Sequence, residues 1–333
     1  MSQQTLRTAR LTVLILFVSF LAYGDTVITL RKDFINTYHA RAIVKATITP
    51  AFLSRVKSAT SGSDDGDVHI AAVPDGTIGL PMVAEIANAK LHRPTVATIK
   101  TAAANHDSMA VEGVWRIWCE HGGDNEFLQG AQVDTPTDSN PAHVFEIHPL
   151  TKVGATSVTD TFRSIDGYAY KDAQDAFQHF ENAPSEISEQ ACTDGGDCVT
   201  IRTRMVGYNY TEFLISLDDD PADLIRDGDD STWVFSNVYD LQGDKVVGGH
   251  PHAAAGGRSG KRKMVFVKGT APHVLLQGLK KGDVLRVVGV PRINLTLVKW
   301  RVEHKSDHPG DLTWSLPYEM VILTAVKSTR ELN

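Results

Sequence analysis

The most constraining feature of this sequence is a series of short β-rich segments separated by turn residues. In the first half they share a high content of Val, Ile and Thr with partial polar–apolar alternation, and they lie at 26–48, 67–73, 81–87, 109–120 and 143–153. Helices are predicted between them at 51–59, where Thr49-Pro50 is a helix-start signal, and at 96–104. Together with one long loop at 122–142, this pattern predicts a small closed barrel of the OB type over residues 25–158, with a β-sandwich as the alternative.

The second half continues the β-rich pattern after one amphipathic helix. Apolar residues recur at helical spacing within 166–180 and end with Phe177 and Phe180, which predicts a helix inside a connecting segment at 159–184. Further strands are predicted at 198–206, 210–217, 233–241, 264–268, 283–290, 295–303 and 318–327. The predicted fold class is therefore mainly β: an OB-like barrel, a connecting helix and a second β-rich domain over 185–333, for which an OB-like barrel is one candidate.

The first 24 residues have the pattern of a secretory signal peptide. Arg7 and Arg10 precede an apolar run at 11–22, and Ala22-Tyr23-Gly24 offers small residues at the positions that a signal peptidase reads. The run is shorter than the roughly 20 residues that a membrane-spanning helix needs. We therefore expect cleavage before Asp25, no transmembrane span in the mature chain, and a periplasmic or secreted location. An uncleaved anchor and a buried first helix are the alternatives.

The three cysteines are too few for a disulfide scaffold, but two of them lie close together in the sequence. Cys192 and Cys198 flank a turn-rich stretch at 193–197 that can bring them within bridging distance. In an oxidising compartment a disulfide between them is expected. Cys119 lies in an apolar strand and is predicted to be a buried free thiol.

Carboxylates and imidazoles recur inside the predicted strands of the first barrel. Asp67 and His69 stand two apart on one strand, and Glu146 and His148 do so on another, so each pair shares a face. With residues from the neighbouring strands, the candidate metal ligands are Asp67, His69, Glu85, His121, Glu146 and His148. This set suits a divalent, zinc-like ion or a catalytic acid–base pair. Structural pairing and a solvated barrel face are the alternatives.

Charge is unevenly distributed along the chain, which carries a formal net charge of −7. The segment 160–230 is strongly acidic, whereas the segment 258–305 is strongly basic and contains aromatic residues. Six residues of the basic segment form a candidate surface for an anionic ligand: Arg262, Lys263, Arg292, Lys299, Trp300 and Arg301. The alternative is that the basic segment pairs internally with the acidic one. The acidic balance of the whole chain disfavours nucleic acid as a partner.

Several short motifs of the first domain resemble those of a group of uncharacterised exported bacterial proteins. The motifs are Gly66-Asp67-Val68-His69, Ala84-Glu85-Ile86, Gly113-Val114-Trp115-Arg116-Ile117-Trp118, Glu120-His121 and His143-Val144-Phe145-Glu146-Ile147-His148-Pro149. Proteins of that group look OB-like, with a G-D-x-H strand and a late E-x-H-P strand. The resemblance covers roughly residues 60–155 and implies an OB-like fold and an extracytoplasmic location, but it implies no activity.

Common enzyme signatures are absent from the sequence. It contains no G-x-S-x-G elbow, P-loop, H-E-x-x-H or dinucleotide fingerprint, so no nucleotide cofactor is expected. The sequence favours a binding module that holds a ligand or an envelope partner of unknown specificity. A metal-dependent hydrolase, acting for instance on phosphoesters through the Asp/His/Glu residues, is the alternative.

Overall fold

The structure is a computed structural model that describes residues 25–57, 64–217, 226–246 and 260–333. The predicted signal peptide, residues 1–24, lies outside the described residues. Within those residues, no helix is both long enough and apolar enough to cross a bilayer.

The described residues are mainly β. The strands are β1 Thr26–Arg31, β2 Ile43–Leu53, β3 Val68–Pro74, β4 Met82–Ile86, β5 Met109–Ile117, β6 Glu126–Leu128, β7 Phe145–Val153, β8 Thr156–Ser157, β9 Lys171–Asp172, β10 Ser185–Ala191, β11 Asp197–Thr203, β12 Thr211–Ser216, β13 Arg226–Asp227, β14 Ser231–Tyr239, β15 Arg262–Val267, β16 Val284–Ile293 and β17 Tyr318–Ser328. The α-helices are α1 Lys32–Tyr38, α2 Arg93–Asn105, α3 Ala173–Glu181, α4 Ala271–Leu276 and α5 Leu295–Glu303. Short 3₁₀ turns lie at Ala89–His92, Thr159–Thr161 and Pro309–Thr313.

The first barrel consists of β2, β3, β4, β5 and β7. Its first three strands pair in sequence order, the third pairs in parallel with the fifth, and the fourth lies between the fifth and the first. The helix α2 lies in the chain between the third and fourth strands. This strand order, closed by one parallel pair, is that of an OB barrel and confirms the predicted fold of the first half.

The second barrel repeats the same topology with β12, β14, β15, β16 and β17. Here β15 and β17 form the parallel pair, β16 lies between β17 and β12, and β12 also pairs with β14. The helix α4 again lies between the third and fourth strands. The second β-rich half is therefore also an OB-like barrel.

A third, smaller sheet accompanies the barrels, and the helix α3 lies between them in the chain. The sheet has the order β10–β11–β1–β6, so it takes strands from both predicted domains. The helix begins at Ala173 rather than at 166, because Asp172 accepts hydrogen bonds from the Gln174 and Asp175 backbone and so caps the first turn. Its buried stripe includes Phe177 and Phe180, as predicted, and belongs to an apolar core shared by both barrels.

The cysteine predictions are confirmed by the structure. Cys192 and Cys198 form a disulfide with a Cα–Cα distance of 5.2 Å at the tip of the β10–β11 hairpin. Cys119 is free and buried, and burial raises the pKa of its thiol to about 12.

Three predicted elements are wrong. Residues 51–57, the described part of the helix predicted at 51–59, do not form a helix, because β2 continues through Pro50 to Leu53 and accommodates the proline beside a register shift against β3. Residues 26–48 are not one strand, because α1 interrupts them. Residues 295–303 are a helix rather than a strand, because the Asn294 side chain accepts a hydrogen bond from the Leu297 backbone and caps α5.

Candidate functional site

Four neighbouring strands of the first barrel carry ionisable side chains on one face. On β3, Val68 and Ile70 enter the apolar core, while His69 between them points to the opposite side. His69 lies directly across from Glu85 on β4, and Arg116 on β5 lies across from Glu146 on β7. We call this side of β3, β4, β7 and β5, with the residues at its two ends, the polar face.

The end of the polar face near the β2–β3 connection forms a first cluster, which we call the rim cluster. The Lys57 ammonium lies 3.0 Å from Asp65 Oδ1, 2.9 Å from Asp67 Oδ1 and 3.2 Å from His69 Nε2. The second Asp67 oxygen lies 3.2 Å from the same His69 nitrogen. Asp67 is fully buried, whereas Lys57 and His69 are partly exposed. The rim cluster therefore already contains a cation among its carboxylates.

The middle of the polar face is sealed by the second barrel. His148 Nδ1 lies 3.0 Å from Glu85 Oε2 and 3.2 Å from Glu146 Oε2, and His148 Nε2 lies 2.7 Å from the Tyr210 hydroxyl. The Arg116 guanidinium also contacts Glu146 Oε2. All five side chains are buried. Both nitrogens of His148 consequently have partners.

The far end of the polar face lies where the long loop begins and ends, and we call it the loop-end cluster. The His143 backbone N–H donates to the His121 carbonyl over 3.2 Å, and the two imidazole rings stack with centroids 4.9 Å apart. His143 Nδ1 lies 2.7 Å from the Pro141 carbonyl, and His143 Nε2 lies 3.5 Å from Glu146 Oε1. Glu146 therefore faces His143 with one oxygen and Arg116 with the other.

Crowded carboxylates change one another's protonation on this face. Burial raises the pKa of Glu85 well above its usual range, and the neighbouring charges of Asp67 and Glu146 add to that effect. Burial likewise raises the pKa of Asp65 and of Glu120. Burial is the first cause of all three raised pKa values, and neighbouring carboxylates add to it.

Two other carboxylates of the polar face have lowered pKa values instead. Burial opposes the charge of Glu146, but Arg116, together with the neighbouring imidazoles of His143 and His148, outweighs it and holds the pKa of Glu146 well below its usual range. Burial also opposes the charge of Asp67, but His69 and Lys57 lower its pKa.

The histidines at the two ends of the polar face have pKa values that are shifted in opposite directions. Burial alone would lower the pKa of His69, but its contact with Asp67 raises it. Burial lowers the pKa of His121 to about 4, with the neighbouring His143 adding to the effect, so His121 is a neutral imidazole at pH 7. The two ends of the polar face thus present different chemistry to a cation.

All six residues predicted as metal ligands lie on the polar face. Within the described part of the chain, three groups have ligand atoms within 4.8 Å of one another: Asp67, His69 and Glu85; Glu85, Glu146 and His148; and His121, His143 and Glu146. Sequence analysis missed His143, although its position just before the E-x-H strand was a usable signal. It also missed Lys57, Arg116 and Tyr210, which lie on other elements.

The basic segment does not form the predicted surface for an anionic ligand. Arg262, Lys263, Arg292 and Arg301 are buried. Arg262 pairs with Glu181, while Lys263 and Arg292 both pair with Glu319. Of the other two predicted residues, Lys299 pairs with Glu303, and Trp300 stacks on His304. The alternative, in which the basic segment pairs with the acidic one, holds for Arg262, because its partner Glu181 lies in the acidic segment.

Comparisons with known proteins identify no family for this chain. No family model matches it. No curated protein matches it either. Among solved structures, single-stranded DNA binding protein from Thermus aquaticus aligns over 88% of this chain and 95% of its own, with 10% identity and a TM-score of 0.21. A likeness this low carries no argument, and the OB assignment rests on strand order and pairing alone.

Proposed function

We propose that this chain is an exported two-barrel binding protein that holds a cationic ligand on the polar face of its first barrel. The observation that carries the proposal is the charge balance of that face. The carboxylates of the face are Asp65, Asp67, Glu85, Glu120 and Glu146. They outnumber the cationic groups of Lys57 and Arg116, which contact members of this set. Because buried carboxylates are costly without a neutralising partner, a bound cation would stabilise this arrangement.

The position of the polar face on the barrel supports a binding role. OB barrels bind ligands on their second and third strands and on the two loops beside them. In this barrel those strands are β3 and β4, which carry His69 and Glu85. His121 and His143 lie at the two ends of the connection between the fourth and fifth strands. The polar face therefore occupies the surface on which OB barrels usually bind their ligands.

Burial of the middle of the polar face disfavours the metal-dependent hydrolase alternative at that position. A hydrolytic site needs an open coordination position beside space for a substrate. Glu85, Glu146 and His148 are at most 2% exposed, and the second barrel covers them through Tyr210. Only the two ends of the face, at His69 and His121, are partly exposed.

A cation-binding test follows directly from the charge balance. The full chain, purified without chelators, is titrated with Zn²⁺, Mn²⁺, Ca²⁺ and spermidine at constant ionic strength, and thermal unfolding is measured. We expect at least one probe to raise the unfolding temperature saturably, by the equivalent of about 2.7 kcal/mol at roughly 100 times its Kd. Glu146→Gln, which removes the carboxylate shared by the middle of the face and the loop-end cluster, should reduce the shift.

The matched control is Glu212→Gln, which removes a carboxylate that is also paired with an arginine but lies on the second barrel. This variant should retain the full response to the probe. If none of the four cations stabilises the protein beyond sodium chloride of the same ionic strength, the proposed function is wrong.

Export is supported by the pattern of the first 24 residues and by the disulfide, since structural disulfides belong to oxidising compartments. Mass spectrometry of protein from the periplasm or the medium should find a chain that begins at or within a few residues of Asp25. Recovery of the protein only in the cytoplasm, with Met1 or its immediate neighbour intact, would contradict export.

A further inference from the structure

The loop-end cluster contains a buried nitrogen without a hydrogen-bond partner. His143 is 1% exposed, and its Nδ1 lies 2.7 Å from the Pro141 carbonyl, which can only accept, so Nδ1 carries the proton. In the neutral ring, Nε2 is then a bare acceptor, and it has no hydrogen-bond partner. It points toward Glu146 Oε1 at 3.5 Å, which is also an acceptor. Two buried acceptors that face each other require a cation between them, either a proton or a metal ion.

The surroundings of His143 match those of a metal ligand. Histidines that bind metals usually donate their other ring N–H to a carbonyl or carboxylate, which fixes the ring and its tautomer. Pro141 supplies that carbonyl here. The stacked His121 ring brings a second imidazole, so nitrogen atoms of both rings and an oxygen of Glu146 lie within 4.8 Å of one another. Because His121 is only partly buried, the cluster can be reached from solvent.

The other two clusters are less suited to a metal ion. In the rim cluster the Lys57 ammonium already lies 2.9 Å from Asp67 and 3.2 Å from His69, where an ion would have to compete with it. In the middle of the face, both nitrogens of His148 have partners, and Tyr210 of the second barrel closes the site. Only the loop-end cluster combines an unpartnered imidazole nitrogen, an ionised carboxylate oxygen and access from solvent.

We propose that His121, His143 and Glu146 bind a zinc-type divalent ion, which specifies the cationic ligand of the proposed function and rests on it. Two imidazoles and one carboxylate form the donor set of known three-ligand zinc sites, which leave a fourth position for water or a further ligand. Zinc–ligand bonds of about 2.0–2.1 Å place tetrahedral ligand atoms roughly 3.4 Å apart. Binding therefore draws the three side chains together and closes the ends of the 122–142 loop.

The test compares single histidine variants of the full chain. Zinc binding is measured by isothermal titration and by elemental analysis, and Co²⁺ serves as a spectroscopic probe of a tetrahedral site. We expect the wild type to hold a single zinc ion, and His143→Ala and His121→Ala each to weaken binding by at least about 100-fold. His92→Ala removes an imidazole that pairs with Asp160 outside the three clusters, and it should leave the affinity within about threefold. His69→Ala tests the rim cluster as the alternative site.

Circular dichroism and urea unfolding check that each variant is folded. If His143→Ala fails to fold, the partly exposed His121→Ala decides the question alone. Loss of zinc in His69→Ala with retention in His121→Ala would place the site at the rim cluster and overturn this inference, while the proposed function would stand. Binding of Mn²⁺, Ca²⁺ or spermidine but not of zinc would likewise overturn this inference, while the proposed function would stand. Absence of any cation binding would overturn both.

Discussion

At the scale of single residues, buried charges in this protein are neutralised by partners far away in the sequence. Glu319 on β17 lies directly across from Arg292 on β16 and 2.6 Å from its guanidinium, and it also lies 2.8 Å from the Lys263 ammonium. All three side chains are buried. The Arg292 guanidinium stacks 3.7 Å over the Trp115 ring and donates to the Trp115 carbonyl, which belongs to the first barrel. The Glu319 carboxylate thus neutralises two buried cations, and one of them, Arg292, also contacts the first barrel.

Replacing Glu319 with Gln should be strongly destabilising. The change preserves shape but leaves Lys263 and Arg292 buried without a countercharge, which costs about 3–5 kcal/mol. Burial raises the pKa of Glu319, but its two cations outweigh burial and lower it. The stability that this carboxylate contributes is therefore present above its unfolded pKa of about 4.3 and is lost as the pH falls through its folded pKa.

Urea unfolding at pH 7 and at acid pH measures this effect. The difference between Glu319→Gln and the wild type should shrink below about pH 4, as the wild-type carboxylate takes up its proton. Glu212→Gln breaks the more exposed pair with Arg286 and should cost less than about 1 kcal/mol. Equal losses in the two variants would show that burial does not set the strength of these pairs.

At the scale of elements, alternation identified the barrel strands where one face is apolar and the other polar. The predictions at 67–73, 81–87 and 143–153 agree closely with β3, β4 and β7. Prediction failed where a local signal competed with tertiary pairing. Thr49-Pro50 is a helix-start signal, yet β2 continues through it because β3 pairs with both residues. At 295–303, β-branched residues suggested a strand, but the Asn294 cap and burial of Leu295 and Val298 favour a helix.

The candidate site was predictable as far as spacing within one strand could determine it. Residues two apart on a strand share a face, so Asp67 with His69 and Glu146 with His148 followed from the sequence. His143 was missed because its partner His121 lies across a long loop, and the backbone hydrogen bond and ring stacking that join them exist only in the folded chain. Charge counts along the chain misplaced the basic surface, because they do not show which side chains are buried against distant carboxylates.

At the scale of the whole molecule, the two barrels bury a polar surface as well as an apolar one between them. The Asp230 carboxylate of the second barrel accepts hydrogen bonds from the backbone of Ala42 and Ile43 over 2.6 and 2.9 Å. The Arg116 guanidinium of the first barrel donates to the Pro291 carbonyl of the second over 2.8 Å. Because these polar contacts and the shared apolar core form together, we expect ligand binding on the polar face to depend on barrel packing.

Tyr210 is the contact through which this dependence can be measured. Its hydroxyl lies 2.7 Å from His148 Nε2, and both side chains are fully buried. Tyr210→Phe keeps the ring, which packs against Tyr168, but leaves the His148 nitrogen unpaired in the interior. The expected loss is about 1–3 kcal/mol in the free energy of unfolding, with no change in the urea dependence.

Tyr168→Phe is the matched control, because its ring contacts Tyr210 but its hydroxyl makes no hydrogen bond to the described residues, and it should cost less. Combining Tyr210→Phe with His148→Ala should cost less than the sum of the two single changes, since each removes the same contact, and the coupling should be about 0.5–3 kcal/mol. Strict additivity would mean that the hydroxyl and the imidazole do not interact in solution. The Tyr210 contact would then not be a route by which the second barrel influences the polar face.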